Sequence, residues 1–341
     1  MLVVPAWQPG APVCLADSVD LDLTIANGVT KHLNSQKLSN IYGCAMAVDE
    51  IRFYVRPTTP TVVAGSTTLT SQFDFGQFIL TKISVNNLNL MQNPVHISSL
   101  GELWQQELQW GGQKQTFITP TRHFLYNETY YSWKFPEPLW VGRQGALDIQ
   151  IQAAPQNLRP TDPSAAIPNV TVHVAVVGRL QTITTPQMVA YPYVAEYASS
   201  GLSIDPANGV PAFAMVSDPV FRNPFFNPIT IETLAATLYV PFSAAGGATN
   251  AIELFPGAVT MRLTDGRGNA IAGAGGTNPV PLGGFVDPRY SDWQINRVLD
   301  AYQFLYLELY ANTNPNFAVD AQPVWWPRVA FRGTHLAQLN P

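Results

Sequence analysis

The feature that most limits what this chain can fold into is a run of period-two alternation between Trp133 and Leu180 that returns, shortened, near the C-terminus. Ala146-Leu-Asp-Ile-Gln-Ile-Gln152 puts Leu147, Ile149 and Ile151 on one face and Asp148, Gln150 and Gln152 on the other. Val170-Thr-Val-His-Val-Ala-Val176 repeats the pattern. Successive side chains of a strand point to opposite faces, so each run reads as a half-buried β-strand. The second copy is Leu305-Tyr-Leu-Glu-Leu-Tyr310 followed by Val329-Ala-Phe-Arg-Gly333. Leu147/Ile149/Ile151 overlies Leu305/Leu307/Leu309 at an offset of 158 (305 minus 147), and Val174–Gly178 overlies Val329–Gly333 at 155 (333 minus 178). Short alternating strands look alike in any β-protein, but the shared order of strand, Pro-rich loop, strand and V-A-x-x-G reads as a duplication.

The rest of the chain fits short strands separated by turns. Residues 1–36, with Pro5, Pro9 and Pro12, read as an N-terminal arm carrying one edge strand, Val19–Ile25. Ala45–Val55 reads as the first core strand, and Asn86-Asn87 and Asp265-Gly266 read as tight turns. Pro94 to Trp110 differs. Ile97, Leu100, Leu103, Trp104 and Leu108 fall at helical spacing, with Ser98 or Ser99 as N-cap and Gly111-Gly112 as the stop, which predicts one short inserted helix. Asp292 to Tyr302 fits a helical turn or the entry to a strand. Periodicity fades between Gln181 and Pro219. The expected organisation is therefore an arm (1–36), a first domain (37–185), a linker (186–219) and a second domain (220–341), each domain holding about eight strands. Eight antiparallel strands in two packed sheets make a jelly roll. The fold class expected is all-β: two tandem eight-stranded antiparallel jelly rolls with a short inserted helix. Strands do not alternate with helices, which excludes a parallel α/β fold.

Composition removes several function classes. The net charge is -5 and no window holds a run of Lys or Arg, which argues against displacing phosphate counterions from nucleic acid. No stretch of 18 or more apolar residues offers a transmembrane helix. Only 12% of residues are charged, about half the usual share, so much of the surface is neutral. Such flanks suit a protein covered by copies of itself.

The candidate chemistry is sparse. Of the five histidines, His32, His96, His123, His173 and His335, no two lie within four residues of each other, so no metal site and no cofactor is expected. Asp17, Asp20 and Asp22 lack the Gly and bidentate Glu of a calcium loop and read as an acidic edge strand. Cys14 and Cys44 could pair, though two cysteines in a chain of this size more often stay free. There is no Gly-x-Ser-x-Gly and no phosphate-binding Gly-x-x-x-x-Gly-Lys, so no enzyme is supported. Glu308, between Tyr306 and Tyr310 on one strand face, suits either a sugar-binding surface or a subunit interface. Trp140 and Trp325-Trp326-Pro327 read both ways too. Large rigid rings bury much area at low entropic cost, so Trp140, Tyr306, Tyr310 and Trp325 are the expected contact residues.

Trp133-Lys-Phe-Pro-Glu-Pro-Leu-Trp-Val-Gly-Arg-Gln-Gly-Ala-Leu-Asp-Ile-Gln-Ile151, the two-fold recurrence and the overall length together resemble the double jelly-roll major capsid proteins of tailless icosahedral viruses, a group that includes membrane-containing bacteriophages. The resemblance implies a structural protein of the virion shell, made in the host cytoplasm. It also implies homotrimers of pseudo-hexagonal outline that tile with neighbouring trimers. Contacts with minor vertex proteins and an internal membrane would follow, and no sequence-specific nucleic-acid binding. The alternative is a secreted or surface two-domain jelly-roll protein that binds or hydrolyses glycans.

Overall fold

The computed structural model describes residues 8–23, 29–58, 76, 78–100, 102–104, 129–155, 169–183, 185, 187–198, 202–203, 213–215, 220–243, 249–253, 259–271, 280–281, 293–311 and 324–339. The chain divides into two compact units. The first comprises residues 1–155, 166–191 and 337–341, and the second residues 156–165 and 192–336.

The first unit uses β1 (Pro12–Leu21), β2 (Lys31–His32), β3 (Ala45–Pro57), β4 (Ile79–Val85), β5 (Leu88–Asn89), β6 (Val95–His96), β7 (Glu102–Trp104), β8 (Thr129–Val141), β9 (Leu147–Ala153) and β10 (Val170–Gln181). One sheet runs β1-β10-β3-β8-β7 and the other β2-β9-β4-β5, all pairs antiparallel. This order has a simple origin. Eight strands paired as one long hairpin, first with eighth down to fourth with fifth, send alternate pairs to opposite sheets when the hairpin is rolled. The result is the orders 1-8-3-6 and 2-7-4-5. Without the short β6 and β7, the first unit has both orders, so it is a jelly roll. The alternation does the packing. Val172, Val174 and Val176 of β10, Ile51, Phe53 and Val55 of β3, and Ile149 and Ile151 of β9 are all buried. Each such side chain contributes about 1.5–3 kcal/mol on leaving water.

The second unit uses β11 (Gln187–Ala198), β12 (Leu202–Ser203), β13 (Phe213–Met215), β14 (Phe221–Arg222), β15 (Ile229–Ser243), β16 (Thr249–Glu253), β17 (Val259–Asp265), β18 (Val280–Pro281), β19 (Trp293–Leu299), β20 (Phe304–Ala311) and β21 (Val324–Leu339). Its sheets contain β11-β21-β15, with β19 also on β15, and β13-β20-β17-β18. These are again 1-8-3-6 and 2-7-4-5. The two sheets share one core, in which Ile229, Ile231, Leu234, Val329 and Phe331 from one meet Met261, Leu263, Leu305, Leu307 and Leu309 from the other.

The duplication extends to single residues. In the first roll the pairing slips between Val48 and Glu50, leaving Asp49 as a bulge, and Gly178 lies opposite Val48. In the second it slips between Ile231 and Thr233, leaving Glu232, with Gly333 opposite Ile231. A β-bulge bends one strand toward its neighbour, and only glycine fits there. A Cβ on Gly178 would lie 2.3 Å from the Ala47 carbonyl oxygen, and one on Gly333 2.5 Å from that of Thr230. Each bulge acid then bonds the residue after the glycine. Arg179 donates to Asp49 at 3.1 and 2.9 Å, and Thr334 Oγ1 donates to Glu232 at 2.7 Å.

Several local expectations change. The helix expected over Pro94–Trp110 is, in its described part, a 3-10 turn at Ile97–Ser99 followed by β7. One tight turn already places Ile97 and Leu100 together. Ser98 Oγ donates to the Gly76 carbonyl at 3.3 Å, and no side chain caps the turn. Residues 105–110 lie outside the described residues. Residues 12–21 of the expected arm form β1, paired along its whole length with β10. Pro12 is tolerated there because it opens an edge strand. The expected linker contains β11, and the division between units falls between Tyr191 and Pro192, within it. The described part of the Asp292–Tyr302 stretch, from Trp293 on, forms β19 and the turn after it. Asn86 and Asn87 take φ of 50° and 67°, as a tight hairpin turn between β4 and β5 requires.

Candidate functional site

Among the expected contact residues, Trp140 lies on β8 opposite Ala47 and is half-buried. Its carbonyl accepts a hydrogen bond from the Tyr191 hydroxyl at 3.3 Å. Tyr306 lies on β20 opposite Thr264, half-buried on the face away from the core. Tyr310 follows on the same face opposite Thr260, and Trp325 lies on β21 opposite Leu202. The side chains of Tyr310 and Trp325 are outside the described residues. The backbone register thus brings Tyr306 and Tyr310 onto one face of one strand.

Glu308 lies between them and is only 8% exposed. Arg262, directly opposite on β17, donates Nε–H to its carboxylate at 2.7 Å and closes the ion pair through Nη2 at 2.5 Å. The pair is a charge-assisted hydrogen bond lying in the sheet face. On the first roll the outward face of β1, β10 and β3 carries a shallow groove of about 410 Å³, lined in part by Asp17, Lys37, Arg52, Tyr54 and His173. Its charges are paired internally. Lys37 Nζ bonds Asp17 at 2.6 Å, and Arg52 bonds Glu50, which also accepts Ser132 Oγ–H at 2.5 Å. Burial pushes the Glu50 carboxyl up, but the Arg52 and Ser132 bonds outweigh it and hold Glu50 below the usual glutamate range. His173 faces Tyr54 with ring centroids 6.2 Å apart. Burial and the nearby Arg56 push its pKa down, against the pull of Asp20. Among the described residues no three His, Cys, Asp or Glu gather to hold a metal ion, and both cysteines are free, Cys14 exposed and Cys44 buried. No helix of the described residues is long and apolar enough to cross a membrane.

The most organised feature is one that reading the sequence missed: an asparagine corner present in each roll. Asn40 is 1% exposed and its Nδ2 donates to the carbonyls of Cys44 (2.7 Å), Val141 (3.4 Å) and Gly142 (3.1 Å). Its Oδ1 accepts the Tyr42 amide at 3.1 Å, and its own amide donates to the Gly145 carbonyl at 2.8 Å. Asn223, 0% exposed, repeats every contact. Its Nδ2 donates to Asn227 (2.9 Å), Leu299 (3.1 Å) and Asp300 (3.1 Å), its Oδ1 accepts the Phe225 amide at 2.9 Å, and its amide donates to Gln303 at 3.0 Å. Asn40 to Asn223 and Cys44 to Asn227 are both 183 apart (223 minus 40), whereas Val141 to Leu299 and Gly145 to Gln303 are 158 apart (299 minus 141). The second offset is the one carried by the alternating strands. Each corner ties the turn before the third strand to the turn after the sixth. The sequence signal was there, an Asn two residues before an aromatic in Asn40-Ile-Tyr-Gly-Cys44 and Asn223-Pro-Phe-Phe-Asn227.

No protein-family model and no curated protein matches the chain. Among solved structures it is similar to the major capsid protein of the Sulfolobus turreted icosahedral virus STIV, at 13% identity and a TM-score of 0.39, over 94% of this chain and 96% of that one. It is similar to the major capsid protein of bacteriophage PM2, at 10% identity and 0.31, over 94% and 98%. A peptide-N4-(N-acetyl-β-D-glucosaminyl)asparagine amidase is similar at 10% identity and 0.33, over 97% and 100%. The assignment of two jelly rolls rests on the strand orders and registers above.

Proposed function

We propose that this chain is a structural subunit of an icosahedral virion shell. Three copies close into a trimer of pseudo-hexagonal outline, and trimers tile against one another. One observation carries the reading: a single chain holds two rolls of the same strand order, matched down to the asparagine corner and the bulge-facing glycine. A ring of three such chains presents six similar units, so closed three-fold symmetry yields a six-sided tile. The low charge supports neutral flanks that copies of the chain cover. Trp140, Tyr306, Tyr310 and Trp325 are proposed as contact residues, within the trimer or between rolls. Neighbouring trimers are the main partners, with minor vertex proteins and an internal membrane as further ones, and the virion is the place of action after synthesis in the host cytoplasm. A glycan-binding or glycan-cleaving role would centre on Tyr306, Glu308 and Tyr310, where Arg262 holds the carboxylate.

Light scattering with negative-stain imaging of the same fraction tests the reading. The expected result is a stable three-chain species with a hexagonal outline, and Tyr306→Asp should reduce its yield severalfold. A monomer of 37.3 kDa that binds polysaccharide would overturn it.

A further inference from the structure

The two rolls share the asparagine corner but not what it displays. In the second roll the corner carries Phe226, 86% exposed, against Tyr302, 44% exposed, with ring centroids 5.6 Å apart and nearly perpendicular. At the equivalent places the first roll has Gly43 (226 minus 183) and Gln144 (302 minus 158). Tyr302 stands at φ 62° and Gln144 at 59°. For a bulky aromatic residue the left-handed region is strained, and glycine or asparagine would hold the same turn at lower cost. An exposed aromatic kept on strained backbone, stacked on a second exposed aromatic, is kept for what its side chain touches.

The charges distinguish the corners as well. The first corner has the exposed cation Arg143 in one of the turns that Asn40 ties together and the exposed Ile41 in the other. The second has the exposed anion Asp300, whose carbonyl Asn223 holds. One corner therefore presents an aromatic knob with a negative charge. The other presents a small residue, an aliphatic and a positive charge.

We propose that the Phe226–Tyr302 corner of one copy docks on the Ile41–Gly43–Arg143 corner of a second copy, a head-to-tail contact between the second roll of one chain and the first roll of the next. The proposal rests on the self-assembly reading and gives it a surface. Unlike patches that meet in this way close into a ring when the rotation between copies closes, as the three-fold tile requires, whereas a patch meeting itself stops at two copies. The complementary charges select the partner corner and disfavour two like corners meeting.

Sedimentation velocity of the full chain over a concentration series tests it, with melting temperature as the folding control. Phe226→Ser should weaken self-association by about tenfold or more, as loss of a central aromatic anchor does. Tyr302→Gly should raise the melting temperature while weakening association, a pairing that a merely structural residue would not give. Arg143→Asp and Asp300→Arg should each weaken association about fivefold, and the double variant should restore it, because the exchanged charges meet across the contact. Assembly into hexagonal particles that none of these changes disturbs would overturn the corner contact and leave the capsid reading standing. So would a double variant no better than the singles. A wild-type chain that stays monomeric at every concentration would overturn both.

Discussion

The two rolls are the same device carried to different surfaces. Their buried parts agree closely: strand order, bulge, facing glycine and asparagine corner all recur. Their exposed parts do not, with Gly43 and Gln144 in one where Phe226 and Tyr302 stand in the other. The contacts the rolls share, from the bulge-facing glycine to the asparagine side chain on turn carbonyls, lie within each roll and fix its own chain path. A duplicated gene product is free to diverge wherever a side chain meets something outside its own roll. The conserved geometry therefore reports folding, and the divergence reports assembly.

The largest effect expected from this comparison is at the corners. Asn40→Ala and Asn223→Ala each remove the side-chain partner of three carbonyls and one amide, of which the Gly142 and Asp300 carbonyls keep a backbone donor, the Gly145 and Gln303 amides. Orphaning a buried polar group costs about 1–3 kcal/mol, and partial rescue by water should leave each variant destabilised by about 3–4 kcal/mol. Denaturant titration should give nearly equal losses. A loss confined to one roll would mean that the corners share a shape and not a role. Gly178→Ala and Gly333→Ala come next, because the added methyl meets backbone that cannot swing aside. About 2–3 kcal/mol each is expected, with Gly178→Ala the larger since its closest approach is 2.3 Å against 2.5 Å.

How legible these features were follows from where their partners lie. The strands could be read because period-two burial is written into consecutive residues, as in Leu147/Ile149/Ile151 and Val172/Val174/Val176. Gly178 and Gly333 surfaced as the end of a repeated V-A-x-x-G, although the bulge that requires them sits on another strand. The asparagine corner stayed hidden because the bonds of Asn40 run to carbonyls 101 and 102 residues away, at Val141 and Gly142. Pairing of that range leaves no local pattern. β1 was read only in part, as an edge strand beginning at Val19 on an N-terminal arm, for the same reason, since its partner β10 begins at Val170. Trp140 and Tyr306 were chosen by residue type alone, and both lie half-buried on strands. Phe226 and Tyr302 were passed over because exposure cannot be read from the sequence of a turn.

The smallest effect separates the rolls by acid. The first roll has Leu180 where the second has His335 (335 minus 155), 4% exposed and packed edge-on to Phe225 with centroids 4.0 Å apart. Burial pushes His335 below its ordinary value of 6.5, against a small opposing pull from its own backbone. The unfolded chain then binds a proton more readily than the fold does. The stability tied to the neutral ring is therefore complete above pH 6.5 and lost as pH falls from there toward the folded pKa, at a slope of up to about 1.4 kcal/mol per pH unit. His173 of the first roll is also pushed down, but it is half-buried and Asp20 offsets part of the shift, so its slope should be shallower. Carboxylates held low in the fold, such as Glu50 and Asp265, lose their contribution only nearer their ordinary values of 4.5 and 3.8, which leaves pH 6.5 to 5 to the histidines. Replacing His335 with Leu, the residue the first roll already uses, should flatten the stability of the second roll over that interval. A His335→Leu chain with an unchanged acid slope would show that the ring takes up its proton without leaving its place beside Phe225.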